Sequence, residues 1–391
     1  MIEIEFILRF LVLFFLALPF AIFGIYGSII FYYGKIKKNS NKIIRNQGSS
    51  PYEPTVSIVI PTHNEATIIS KKIENLLSLD YPKSKCEIIF VDDSTDSTPE
   101  MINKFAERVP FLHLVRFYER MGYSPSMVEG VKIAQGEIIV LNDAGSFMQQ
   151  NAIRNLVAHF KDSRIGAVTG EPIILNLNEN IGKMEGFYLK LLGFFRAAES
   201  KMDSVFIIKG EATAVRAFLI KDLQRCDATF DTAVGLFLRE KGYRVIFDPQ
   251  VKFCEYAPQT HSGLVKQKSI RAANLIRILF RFKNMILNPK LGKYGLVILP
   301  MNFAMLVIAP LSIFFGILLL VPLSFFNIGF SSILWILIGG FLTTAFLFAR
   351  PLLSIFLDFE FSLLKAMRNI ILRKSKLDQI ETVASTRRAA I

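Results

Sequence analysis

Val56-Ser57-Ile58-Val59-Ile60 runs straight into Pro61-Thr62-His63-Asn64-Glu65, and Glu87-Ile88-Ile89-Phe90-Val91 runs into Asp92-Asp93-Ser94-Thr95-Asp96. Both runs are short, apolar and rich in β-branched residues, and both are closed by turn formers, the pattern of strands buried on two faces. The stretch 66–78 between them reads as a helix. Glu137-Ile138-Ile139-Val140-Leu141 is a third such run, ending at Asn142-Asp143-Ala144-Gly145-Ser146. Strands alternating with helices, predicted over 99–108, 126–134 and 150–160, indicate an α/β domain with a mainly parallel sheet. Ligands of such sheets bind beyond the carboxyl ends of the strands, where all three runs deliver carboxylates. Neither G-x-G-x-x-G nor G-x-x-x-x-G-K-[ST] occurs in this stretch, so carboxylates rather than a glycine cradle must handle a bound nucleotide.

The stretches VSIVIPTHNEA and IIFVDDSTDST resemble the first two motifs of the family-two glycosyltransferases, whose nucleotide-sugar-binding domain has the Rossmann-like GT-A fold. The bland alternative is that Asp96 and Ser97 cap the next helix while Asn64 serves a turn. By resemblance Glu65, Asp92 and Asp93 contact the base and ribose of a uridine diphosphate sugar, with Pro61, Thr62 and His63 beside them. GEIIVLNDAGS falls where the family has an Asp-x-Asp motif for Mg²⁺ or Mn²⁺, with Asp143 at the first carboxylate and Gly145 in place of the second. Hard oxygen ligands suit those ions. Three readings follow: a weakened site of Asp143 and waters, metal-free binding helped by Lys or Arg, or lost activity. Gly122-Tyr123-Ser124 stands where a lysine is common.

Phe230-Asp231-Thr232 ahead of LREKGYRV resembles the family's Glu-Asp motif, which makes Asp231 the catalytic base of a single inverting displacement. An N-cap is its structural alternative. Gln267-Lys268-Ser269-Ile270-Arg271 occupies the place of Q-x-x-R-W, so the resemblance implies acceptor or diphosphate contacts from Gln267 and Arg271. Ile270 replaces the Arg of that motif and Arg271 its Trp. Further strands are predicted at 113–116, 165–169, 205–209 and 243–247, with 210–216 as a loop. Glu211 and Arg216 in that loop are acceptor contacts or surface partners. The stretch 181–201 has Phe, Leu and Met at helical spacing, the mark of core or membrane contacts rather than a site.

The net charge of +13 and the 52% hydrophobic content point to a membrane surface rather than nucleic acid. No Asp or Glu lies between Glu255 and Asp358, and the bases there flank apolar spans. Phe10 to Tyr33 carries no charge and exceeds the ~20 residues that cross a bilayer. Lys35, Lys37, Lys38, Lys42 and Arg45 follow it, which puts the next domain in the cytoplasm. Tyr294 to Ala349 is again uncharged and suits two spans at ~1.5 Å per residue. Cys86, Cys226 and Cys254 show neither disulfide nor zinc spacing.

The expected layout is a transmembrane helix over 1–34, a basic linker over 35–54 and the GT-A domain over 55–262. An amphipathic interfacial helix follows over 263–293, two transmembrane helices over 294–349, and an interfacial helix with a basic tail over 350–391. The expected function is transfer from a nucleotide diphosphate sugar to a lipid-linked or glycolipid acceptor, by a multi-pass protein of the cell membrane with its catalytic domain in the cytoplasm. A polysaccharide synthase and a non-catalytic nucleotide-sugar-binding relative are the alternatives.

Overall fold

The computed structural model describes residues 2–36, 52–221, 230–326, 329, 332–338 and 360–368. Cys226, most of the basic linker, residues 339–359 and residues 369–391 lie outside them.

One eight-stranded sheet organises the domain. Its strands are β1 (Val56–Thr62), β2 (Cys86–Asp92), β3 (Leu112–Arg116), β4 (Ile138–Leu141), β5 (Phe147–Met148), β6 (Ile165–Ile174), β7 (Thr213–Arg216) and β8 (Arg244–Glu255), in the order 3-2-1-4-7-6-8-5. Side chains alternate across a strand, so both faces of the central strands are buried by the same apolar run. Ile58, Ile60, Ile88, Phe90, Ile138 and Val140 pack with helices Ile69–Leu77 and Thr98–Ala106. Val59, Ile89, Val91, Ile139 and Leu141 pack with Met127 and Val131, Val234 and Leu238, and Ile276. Each fully buried aliphatic side chain contributes about 1.5–3 kcal/mol, which is what dictates near-continuous hydrophobicity in the inner strands.

The sheet is mainly parallel, as expected, but mixed. β1 pairs parallel with β2 and β4, β2 with β3, and β6 with β8, but β7 runs antiparallel between β4 and β6, and β5 runs antiparallel to β8. The segment predicted as a loop is therefore a central strand; it has four residues, too few to show a period. Residues 205–209, predicted as a strand, lie outside the sheet, although Val205 N–H donates to the Val245 carbonyl at 2.9 Å. The reversal matters for the site. Leu141, at the end of β4, faces Thr213, at the start of β7, so 210–212 arrives beside the loop that carries Asp143.

Helix His261–Arg281 starts at Thr260, whose hydroxyl accepts the Gly263 N–H at 3.2 Å, and buries Leu264, Ala272, Ala273, Ile276 and Leu279 against the domain. Two helical stretches, Glu3–Lys35 and Tyr294–Phe325, are long and apolar enough to cross a membrane. They pack on each other through Val12, Leu320 and Leu323. A buried polar knot ties them to the domain: Tyr26 Oη donates to Glu199 Oε1 at 2.5 Å, and Asn302 Nδ2 donates to the same oxygen at 3.0 Å.

Candidate active site

The first two motifs build a crosslinked rim. Thr62 and Asp92 are register partners at the ends of β1 and β2, and Thr62 Oγ1 donates to Asp92 Oδ1 at 2.8 Å. Ser94 donates to the same carboxylate from Oγ at 2.6 Å and from N–H at 3.1 Å. Asp93 gathers the 120–122 turn, with Arg120 Nη1 at 2.6 and 2.8 Å from its two oxygens and the N–H groups of Met121 and Gly122 at 2.8 and 3.0 Å from Oδ2. His63 Nδ1 lies 2.8 Å from Asp93 Oδ1. Both carboxylates are thus buried and engaged by the protein, so they shape the rim.

Asn64 bridges the two loops. Its Oδ1 accepts the N–H groups of Thr95 and Asp96 at 2.8 and 3.2 Å, and its own N–H donates to Ser94 Oγ at 2.7 Å. Its φ of 55° lies in the left-handed region that Asn tolerates better than most residues. Asp96 Oδ1 accepts the Thr98 N–H at 3.0 Å from just before helix Thr98–Ala106, while Ser97, at the N-cap, makes no side-chain capping bond. Pro61 and Glu65 flank this rim half-exposed, and Glu65 holds the loop through its backbone, its N–H donating to Thr98 Oγ1 at 2.8 Å.

Asp143 sits one residue past Asn142, which is fully buried and donates to the Glu211 carbonyl and, at 3.0 Å, to Ser146 Oγ. The Tyr123 hydroxyl hydrogen-bonds Asp143. Beneath the loop lies Lys72, wholly buried, donating to Asn142 Oδ1 and to the Ser146 carbonyl. Burial pushes Lys72 down to about 7, while Asp143 pulls it back up. A Cβ built on Gly145 meets nothing within 4 Å, and the described residues hold no group of three His, Cys, Asp or Glu side chains that suits a metal. The loop therefore does not fit a two-carboxylate metal site.

Asp231 occupies the first turn of helix Phe230–Glu240. Its Oδ1 accepts the Thr232 N–H at 2.8 Å and its Oδ2 the Gly210 N–H at 3.0 Å. Gly210 is required here, because a Cβ would run into the Tyr123 hydroxyl and come within 3.5 Å of Asp231 Oδ2. Desolvation raises the Asp231 pKa above the ordinary carboxylate value, the charge of Glu211 raises it further, and the two N–H donors oppose them. Phe230, where the family places Glu, is a core side chain.

Gln267 and Arg271 lie one turn apart on helix His261–Arg281 and so share a face. Arg271 Nη2 donates to Glu211 Oε1 at 3.2 Å. Lys209 Nζ lies 3.9 Å from Glu211 and 3.8 Å from Glu255. Arg216 is elsewhere, donating to the carbonyls of Phe160, Asp162 and Ile165. The structure thus brings Asp143, Asp231, Glu211 and Arg271 together and assigns Arg216 to the scaffold. Reading from motifs missed Lys72 and Tyr123. Lys72 had a signal, since it interrupts the buried stripe of Ile69, Ile73 and Leu76.

The family model for glycosyl transferase family 2 matches residues 57–224. A poly-β-1,6-N-acetyl-D-glucosamine synthase of Staphylococcus aureus (strain COL) is 30% identical over 255 residues, which is 63% of this chain and 61% of that protein. The Staphylococcus epidermidis protein of the same description is 28% identical over 284 residues, covering 71% and 68%. The chain therefore spans about three fifths of the length of the first of these relatives. A solved structure of the mannosyltransferase PcManGT from Pyrobaculum calidifontis, in complex with GDP-Man and Mn²⁺, superposes with a TM-score of 0.71 at 24% identity over 92% of this chain and 99% of that one. That likeness establishes a mixed α/β sheet of GT-A type.

Proposed function

From a chain whose residues 57–224 form a glycosyl transferase family 2 domain, we propose that this glycosyltransferase moves a sugar from a nucleotide diphosphate sugar to a saccharide acceptor, in the manner of a polysaccharide synthase. The observation that carries the reading is Asp231: a carboxylate with raised basicity, held by two N–H groups, beside the loop that carries Asp143. In this reading the acceptor hydroxyl gives its proton to Asp231 as it attacks the anomeric carbon, and the nucleotide diphosphate leaves from the opposite face. The raised pKa matches the base to its task, since proton acceptance improves as the carboxyl pKa climbs toward the working pH. In this reading Arg271, charged and beside Glu211, faces the leaving diphosphate. The 61–65 and 92–96 rim forms the wall of the donor cleft, and uridine is the proposed base.

The lipid-linked acceptor expected from the sequence gives way to a saccharide one, because relatives over most of the domain are described as poly-β-1,6-N-acetyl-D-glucosamine synthases. The apolar stretches Glu3–Lys35 and Tyr294–Phe325 are proposed as membrane spans, with the basic residues after the first keeping the domain on the cytoplasmic side. No step is routed through a divalent cation, since the loop lacks the second carboxylate. The test is a transfer assay on the full chain in detergent, with UDP- and GDP-sugars and β-linked oligosaccharides. Elongation of an oligosaccharide with inversion supports the proposal; binding of nucleotide sugar with no turnover on any acceptor overturns it in favour of a non-catalytic relative.

A further inference from the structure

Tyr123 opens helix Tyr123–Ile133 and stands where three parts of the site meet. The turn before it is fixed from the donor rim: Asp93 Oδ2 accepts the N–H groups of Met121 and Gly122, and Gly122 takes a φ of 84°, which glycine adopts without strain. Ser126 Oγ closes the first helical turn on the Gly122 carbonyl at 2.9 Å. The ring packs against the core that holds Met127 and Val131, and a phenylalanine would pack there as well. The hydroxyl is what calls for a reason. It donates to the Asp143 carboxylate and fills the space beside Gly210 that a Cβ would need. Gly210 N–H in turn donates to Asp231 Oδ2 at 3.0 Å. Burial raises the Tyr123 pKa well above the ordinary phenol value, as do the charges of Asp143, Asp231 and Glu211, so the hydroxyl keeps its proton. A hydroxyl taken out of water costs free energy unless it is hydrogen-bonded, and here the partner is Asp143.

We propose that Tyr123 is a positioning residue of the transfer reaction, whose hydroxyl holds the Asp143 carboxylate in a fixed relation to Asp231. The inference rests on the glycosyl-transfer reading above. Two observations separate this role from packing. The backbone at Gly210 makes room for the hydroxyl rather than for the ring. The turn that carries Tyr123 is also anchored to Asp93, so the geometry of the donor rim reaches Asp143 and Gly210 through one side chain. Transfer needs the attacking oxygen and the anomeric carbon held ~3–3.5 Å apart and in line. A donor-loop carboxylate that could turn relative to the base would blur that alignment without releasing the donor, whose base and ribose lie against the rim. The effect therefore falls on turnover rather than on donor affinity. Tyr123 is the residue that stands where a lysine is common, and it supplies a neutral donor there in place of a charge.

Transfer kinetics and calorimetry on the full chain in detergent test this, with UDP-N-acetylglucosamine and GDP-mannose as donors and a β-linked N-acetylglucosamine tetrasaccharide as acceptor. Tyr123→Phe lowers kcat about tenfold or more, while the dissociation constant of the nucleotide sugar stays within about twofold and melting stays cooperative. In an Asp143→Asn background the same change lowers kcat less than about threefold, because residues that act through one another are not additive. Gly210→Ala lowers the melting temperature, and adding Tyr123→Phe recovers part of that loss without recovering turnover. The proposal is overturned if Tyr123→Phe turns over within about threefold of the wild type, or if donor affinity falls as far as kcat, which makes the hydroxyl a donor contact. It is overturned as well by a full loss repeated in the Asp143→Asn background, or by loss of cooperative melting, which assigns the hydroxyl to the scaffold. Wild-type turnover that survives Tyr123→Phe sinks this role alone; absence of wild-type turnover with either donor sinks the glycosyl-transfer reading with it.

Discussion

Asp231→Asn separates the chemical role of this side chain from its structural one. The amide keeps the size of the carboxyl and one oxygen, so it still accepts from Thr232 or from Gly210, but its NH₂ faces the other N–H. Losing one such bond costs about 1–3 kcal/mol. Removing a desolvated charge beside Glu211 acts in the opposite direction, because burial and Glu211 both hold the carboxyl pKa up. The net stability change is therefore small. A positioned general base is worth ~10²–10⁴-fold in rate, or about 3–5 kcal/mol of barrier at ~1.36 kcal/mol per decade. The sign of the pH effect follows as well. The folded pKa lies above the unfolded value of ~3.9, so the acidic limb of the activity profile sits above the ordinary carboxylate range. Wild-type stability also declines as pH rises from that value through the folded pKa. The variant lacks both features. Transfer kinetics, donor titration and thermal melts across pH 4–8 read all of this on one preparation. Turnover within about threefold of wild type, with donor binding and melting intact, would falsify the base assignment and leave Asp231 as a helix-end residue.

Lys72→Met is expected to abolish a stability gain that the wild type shows between about pH 7, its folded pKa, and ~10.4, its unfolded one; parallel denaturant curves refute this. Asp93→Asn weakens the Arg120 pair and the turn at 121–122 and is expected to cost about 2–3 kcal/mol. An unchanged urea midpoint for that variant contradicts its role in the rim. Gly145→Asp has room for its side chain and places a second carboxylate two residues from Asp143. It is expected to raise Mn²⁺ affinity at least tenfold by calorimetry, and no gain means that the missing carboxylate does not limit the site.

How much of this was legible depends on what each residue answers to. The inner strands answer to burial on two faces, a constraint that leaves 56–60, 87–91 and 137–141 apolar but for Ser57, Glu87 and Glu137, so the first half of the sheet could be read directly. β7 answers to its neighbours in space: four residues, Thr213–Arg216, acquire strand geometry from β4 and β6, and no local pattern announces them. Asp92, Asp93 and Asp231 were legible as positions but not as partners. Motif spacing places a carboxylate at a strand end without revealing that Thr62, Ser94 and Arg120 already occupy its oxygens.

The charged residues that escaped share one physical mark, a place where the helical period demands an apolar side chain. Lys72 falls among Ile69, Ile73 and Leu76, and Arg196 and Glu199 among Leu189, Gly193, Ala198 and Met202. A charge in such a stripe costs free energy unless it is paired, so its persistence asks what pairs it. For Lys72 the answer is the Asp143 loop, and for Glu199 it is Tyr26 and Asn302 from the two apolar stretches. Since Glu199 lies one turn from Arg196 on the same helix, the apolar stretches and the groups around Asp231 are braced by a single rigid element.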